Sequence, residues 1–241
     1  LNEFERGKGN EGANSIRKEG EALNTWYLAD YAYVDREKGI YMMYERDSEK
    51  WDDEFRTERT GNVIPMTNDN VNANKMIQHG KTPLPKFYGG FNNTFYYKNF
   101  DLNVMFSFSG GNWLMNTLYA NGATVSGIFN NVKDMVGKTW EKPGDIAEYP
   151  QLMWNSAYHY NSKGEYVKGT TKYDSQNTTR YLERGDYIRL KNLQIGYTLP
   201  KSIISGVNLS NVRFYLGVTN LFTITGYDGL DPETQSDLPI S

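Results

Sequence analysis

The sequence predicts an all-β chain whose antiparallel strands form part of a transmembrane β-barrel, about six strands with one long extracellular insert. Two pairs of runs carry that reading. Residues 186–199 and 209–222 are 14 residues each, more than twice the usual ~5–6-residue strand. From Leu209 on they alternate strictly, with Val212, Phe214, Leu216 and Val218 on one parity and Asn211, Arg213, Tyr215, Gly217 and Thr219 on the other. Residues 86–97 and 100–110 alternate in the same way. A strand of ~10 residues rises ~33 Å, and a ~45° tilt leaves ~23 Å along the normal, close to the apolar band of an outer-membrane barrel. Mean hydropathy is -0.70 and no run of 18 apolar residues occurs. That excludes an obvious spanning helix and leaves a barrel open, since a barrel strand needs only every second residue apolar.

Taken in order, residues 1–23 are charged and Gly-rich without a period and read as loop. Residues 25–34 and 39–46 read as an aromatic hairpin around the turn DREKG, with Tyr27, Ala29, Tyr31 and Tyr33 on one parity. Residues 45–74 are polar and read as a surface excursion. The clearest hairpin pairs 86–97 with 100–110 around Lys98 and Asn99. Phe100, Leu102, Val104, Phe106 and Phe108 share one parity, and Asp101, Asn103, Ser107 and Ser109 share the other. Such a face suits lipid, or the inside of a sandwich.

Residues 111–184 form the long insert. Within it 113–136 carries apolar residues at three and four, although Gly122 and Gly127 weaken a single helix. An excursion of this length fits the long extracellular loops of a barrel and not its short periplasmic turns. In the run 186–199, Ile188 and Leu190 share one parity and Leu193, Ile195, Tyr197 and Leu199 the other. One inserted residue near Lys191 and Asn192, a bulge, reconciles them. The glycines of GFNN, SFSGG and QIGYTLP read as close-packing or bending positions.

Little here carries reaction chemistry. His79 and His159 stand in no ligand-spaced motif, and no phosphate loop or nucleophile elbow occurs. Asp35, Glu37, Asp52, Asp53 and Glu54 read as solvated charge rather than a glycosidase pair or an EF-hand. No catalytic residue, cofactor or metal ligand is assigned, so the expectation is a protein that is not an enzyme. The net charge of -3 gives no general attraction to nucleic acid, and the absence of cysteine excludes a disulfide scaffold. Trp113, Tyr119, Trp140, Tyr149, Trp154 and Tyr158, with Asn112, Asn116 and Asn155, are the candidates for substrate or lid contact. Their rings and amides could hold a sugar or a peptide, or pack the insert on itself.

The phrases GDYIRLKNLQIGYTLPKS, VRFYLGVTNLFTITGYDGLDPE and PLPKFYGGFNNTFYYKNFDLNVMFSFSGG resemble the carboxy-terminal barrel of the SusC/RagA group of TonB-dependent outer-membrane transporters. The resemblance covers roughly residues 80–233. It implies a much longer protein with an amino-terminal plug inside a barrel of roughly twenty-two strands. All of residues 1–241 would then belong to the barrel domain. It further implies the outer membrane of a Bacteroidota-like Gram-negative bacterium, lipid around the wall, and a SusD-like surface lipoprotein over the mouth. Energy would come from a TonB complex acting through the plug, which this chain lacks, and a dimer of transporter–lipoprotein pairs is compatible with it. The cargo implied is a glycan fragment or oligopeptide.

On that reading Asn103, Ser107, Arg189, Lys191, Asn211 and Arg213 face the lumen, because a cation facing lipid near the midplane costs ~2–4 kcal/mol. Two readings of the bases stand: tied to plug carboxylates, or lining the wall. No plug precedes Leu1 and no alternating strand follows GYDGLDPE, so native sequence is expected on both sides. The competing readings are a soluble β-rich carbohydrate-binding module and a glycosidase accessory domain, either of which would close its own sheet edges.

Overall fold

The computed structural model describes residues 14–17, 20–47, 58–124, 131–152, 158–160, 166–168, 177–206 and 209–233. It divides into two units. One comprises residues 85–112 and 184–227, and the other residues 1–84, 113–183 and 228–241.

The first unit is a four-stranded antiparallel sheet, with Phe87–Tyr97, Phe100–Gly110, Tyr187–Thr198 and Arg213–Thr225 side by side in that order. The hairpin 86–97/100–110 is as the sequence predicts, and Lys98 takes φ 53° in its tight turn. Asn99 is fixed to the third strand by its Nδ2, which donates to the Thr198 carbonyl at 2.7 Å. The strand over 187–198 also falls where the pattern places it. The last strand begins at Arg213, so Asn211 and Val212 precede it, although Leu199 N still donates to Val212 O at 2.9 Å.

The bulge lies where the parity change demands it. Leu190 faces Phe106 while Asn192 faces Met105, so Lys191 is one extra residue against the second strand. Against the fourth strand Leu190 faces Phe222 and Asn192 faces Thr219, which places Asn220 and Leu221 opposite Lys191, with Asn220 at φ 51°. The bulge preserves one face across all four strands. The registers Asn93–Val104–Leu193–Val218 and Phe95–Leu102–Ile195–Leu216 bring the apolar residues onto it. This face is open to the surroundings: Phe214 is 63% exposed, Leu216 72% and Ile224 64%.

The second unit is built from short strands. Thr25–Ala29 lies between Ser15–Ile16 and Lys75–Ile77, whereas Tyr31–Val34 pairs with Tyr41–Arg46, which pairs with Arg59–Pro65. The predicted 25–34 arm is therefore two strands in two sheets. Asp30 is the reason: its Oδ1 accepts from Gln78 Nε2 at 2.7 Å beside one sheet, and its Oδ2 pairs with Arg59 at 2.8 Å in the other. About six membrane-length strands are expected, and four are found among the described residues, of 11, 11, 12 and 13 residues.

The described residues 58–74 are not the surface excursion expected of residues 45–74. Arg59–Pro65 closes a sheet, Thr67 caps the helix Asn68–Ala73, and Met66 and Val71 are buried in a cluster with Tyr41 and Met43. Of the periodic stretch 113–136, the described residues form a three-residue strand Trp113–Met115, a short helix Thr117–Gly122 and a single helical turn Lys133–Met135. No helix among the described residues is long and apolar enough to cross a membrane, which says nothing of crossing by strands.

Candidate functional site

The polar face of the four-stranded sheet is a hydrogen-bonded layer. Asn103 Nδ2 donates to Thr94 Oγ1 at 2.8 Å and to Asn92 Oδ1 at 3.1 Å, and Asn192 Nδ2 donates to Asn103 Oδ1 at 3.0 Å. One row along, Arg213 reaches diagonally across Gly196 to Asp101, with Nη2 2.5 Å from Oδ2 and Nε 3.0 Å from Oδ1. Gly196 stands between Asp101 and Tyr215 in register. A Cβ there would lie 2.6 Å from Asp101 Oδ2 and closer still to Asp101 Oδ1 and Arg213 Nη2. Glycine is the residue that lets the two side chains meet.

Of the residues read as lumenal, Asn103, Ser107, Arg189 and Arg213 share this face by register. Lys191 sits in the bulge, where the register shifts, and Asn211 lies before the strand. Asp101, the acid that pairs with Arg213, stands on the polar parity but outside the residues read as lumenal, because one aspartate on a polar parity carries no signal of its partner.

The insert packs with the amino-terminal part of its own unit. Trp26, Leu28, Met115, Ala120, Met135, Tyr149 and Tyr181 form one buried cluster, with Trp113 and Tyr119 against it. Asn116 is fully buried: its Oδ1 caps the helix by accepting from Tyr119 N at 3.0 Å, and its Nδ2 donates to Glu183 Oε1 at 3.0 Å. The Trp113 carbonyl accepts from Trp26 Nε1 at 2.8 Å. Trp140 lies on the turn 35–39, where its Nε1 donates to the Arg36 carbonyl at 2.7 Å.

The Tyr119 and Tyr149 hydroxyls meet each other and each lies 2.9 Å from Asp134 Oδ2, so with one proton apiece at least one of them donates to the carboxylate. Lys138 Nζ meets Asp134 Oδ1 at 2.8 Å. Hydrogen bonds from Lys138, then Tyr149 and Tyr119, hold the Asp134 carboxyl down at about 2. Burial pushes the Tyr149 hydroxyl up, with the bonds to Tyr119 and Asp134 adding to it. Tyr158 lies on the strand Tyr158–Tyr160, paired with Tyr166–Lys168, while Trp154 and Asn155 fall outside the described residues.

Arg180 was not picked out from the sequence. Its guanidinium carbon lies 4.9 Å from the Tyr31 and Tyr41 ring centroids, 5.0 Å from Tyr149 and 5.8 Å from Tyr181. Beside it opens a groove of about 700 Å³ along residues 31–37 and 146–148. Its rings come from three distant stretches, so no local spacing announces it.

No family model matches the chain. A search of curated proteins finds TonB-dependent receptor P3 of Formosa agariphila, 33% identical over 228 residues, covering 90% of this chain and 19% of that protein. TonB-dependent receptor SusC of Bacteroides thetaiotaomicron is 24% identical over 237 residues, covering 96% of this chain and 19% of that protein. The RagAB peptide importer in its closed-closed state matches with a TM-score of 0.65 and 25% identity, over 92% of this chain and 22% of that one. The chain is a segment of a SusC/RagA-like TonB-dependent receptor. Its antiparallel sheet corresponds to part of the barrel of that family. The chain spans about a fifth of the length of these relatives, 19% of the first. These relatives are receptors and importers by name, not enzymes.

Proposed function

We propose that the whole protein is a TonB-dependent outer-membrane importer of glycan fragments or oligopeptides, to which this chain contributes barrel wall and extracellular loops. The observation that carries the reading is the four-stranded sheet of a SusC/RagA-like receptor, with one exposed apolar face and one hydrogen-bonded polar face. Strands of 11 to 13 residues rise ~36–43 Å, and at ~45° they cross ~26–30 Å, enough for the apolar band. A soluble sandwich would bury that apolar face against a second sheet, and here it is open.

On this reading Phe100, Leu102, Val104, Phe106, Phe108, Phe214, Leu216 and Val218 meet lipid. Asn103, Ser107, Arg189 and Arg213 face the lumen, where a charge costs far less than the ~2–4 kcal/mol it costs in lipid. Residues 111–184 lie outside the cell, near a SusD-like lipoprotein and the substrate path. There the buried Asn116 and Tyr149 hold the insert's own core, and Trp113, Tyr119, Trp140, Trp154 and Tyr158 are left as the residues nearest the cargo or the lid. The RagAB peptide importer supports the oligopeptide class, and the glycan class rests on the sequence resemblance.

The test is uptake in the native bacterium. Deleting the gene should abolish energy-dependent uptake of a labelled oligopeptide or oligosaccharide, and deleting TonB should do the same. Uptake of every probe unchanged in both strains would refute the reading.

A further inference from the structure

Five charged side chains line the groove beside Arg180: Asp35, Arg36, Glu37, Glu148 and Arg180 itself. Of its three acids, Asp35 Oδ1 already accepts the backbone N–H groups of Glu37 and Lys38 at 2.8 Å each, and Glu148 Oε2 lies 3.2 Å from Lys138 Nζ. Glu37 remains against the two bases, Arg36 and Arg180. A guanidinium has five N–H donors. Among the described residues Arg180 donates through Nη2 to the Glu148 carbonyl at 2.9 Å and bonds the Tyr31 hydroxyl, its Nε is buried away from the groove, and no carboxylate pairs with it. Four tyrosine rings surround the cation instead, and ring faces stabilise positive charge without neutralising it. An arginine removed from bulk water beside an open groove pairs strongly with a carboxylate that enters it, through parallel charge-assisted bonds. The volume, about 700 Å³, falls in the ~300–1,000 Å³ range of small-ligand sites. Tyr33, 48% exposed, supplies an apolar wall for the body of the ligand.

We infer that this groove is a binding subsite for the carboxylate of a transported ligand, with Arg180 as the residue that receives it and Tyr31 and Tyr33 as its walls. The inference rests on the import reading for the nature of its ligand. The carboxylate has two sources, the carboxy-terminus of a peptide and the acid group of a uronic sugar.

The experiment is calorimetric titration of the full-length transporter, purified with its lipoprotein, using matched probes. These are acetyl-Ala-Ala-Ala as free acid and as amide, and trigalacturonate as free acid and as methyl ester. At least one acid should bind tenfold or more tightly than its neutral form, and Arg180→Gln should bring that ratio close to one. The pair that discriminates identifies the source. Acid and neutral forms binding alike in both pairs, or a ratio unchanged in Arg180→Gln, would overturn the inference. Should Arg180→Gln fail to assemble, phenylglyoxal labelling of the unaltered transporter followed by peptide mass mapping gives the answer. Free acid, and not its neutral form, should protect Arg180, and equal labelling with both would reject the site. Because binding is measured without transport, the two readings fail separately. Retained acid preference with no uptake sinks the import reading, and uptake with no acid preference sinks this one.

Discussion

Replacing Gly39 with alanine should loosen the insert through a contact that the sequence does not announce. Gly39 closes the turn 35–39 at φ 63°, with its N–H donating to the Asp35 carbonyl at 2.8 Å and its carbonyl accepting from Gln151 N at 2.8 Å. A Cβ at this position would lie 2.9 Å from Trp140 Cγ and closer still to Cδ2 and Cε3 of that ring. Two costs add. A left-handed conformation costs a residue with a Cβ ~1–2 kcal/mol. Forcing a methyl group into an indole costs ~1–3 kcal/mol, as ring or turn gives way. Together these amount to ~2–5 kcal/mol of local stability, and since each ~1.4 kcal/mol is a factor of ten, amide exchange should rise about thirtyfold or more. Hydrogen exchange of the full-length transporter should show it at residues 139–151, where Trp140 Nε1, Gly144 N and Gln151 N bond to the turn's carbonyls. The strand Phe100–Gly110 takes its hydrogen bonds from neighbouring strands and should keep its rates. Unchanged exchange across 139–151 would mean that Trp140 is not seated on the turn and would refute the reasoning.

Gly196→Ala should separate Asp101 from Arg213 and lower the temperature at which the barrel loses its folded gel mobility. In a D101A/R213A background the same substitution should have little effect, and an equal loss in both backgrounds would remove the pair from the explanation. Asp134 has a folded carboxyl depressed from 3.8 to about 2, so its contribution is present above about 4 and is lost as pH falls through about 2. Hydrogen exchange of residues 131–149 should therefore accelerate over that window in the natural protein, and Asp134→Asn should abolish the acceleration. Asn116→Ala removes a helix cap worth about 1 kcal/mol and its bond to Glu183, and limited proteolysis should then open the segment 117–122 first.

The four long strands were legible because alternation is a local signal with a period of two. The parity change between Leu190 and Leu193 locates the bulge by itself, since a strand cannot carry two apolar phases on one face without an extra residue. The shorter strands were less legible. Thr25–Ala29 and Tyr31–Val34 read as one run, because what divides them is Asp30 bonding to Gln78 and Arg59, each far away in sequence. The same limit applies to the site. Asn116 and Tyr149 stood out as a polar and an aromatic residue in a loop, but composition does not distinguish a ring that waits for a ligand from one that fills a core. Arg180 acquires its meaning from Tyr31, Tyr41, Tyr149 and Tyr181, and only folding brings those rings together.

The central claim is that the sheet has a lipid face and a lumenal face. The most direct test places single spin labels on it, at cysteines introduced one at a time into a cysteine-free full-length protein; residues 1–241 contain no cysteine to be replaced. In the reconstituted full-length transporter, a label on a cysteine replacing Phe214 or Val104 should be relaxed by oxygen dissolved in the bilayer and protected from an aqueous nickel chelate. A label replacing Asn103, on the opposite parity of the same strand as Val104, should show little relaxation by lipid-dissolved oxygen. Nickel-dominated relaxation at both Phe214 and Val104 would contradict the account.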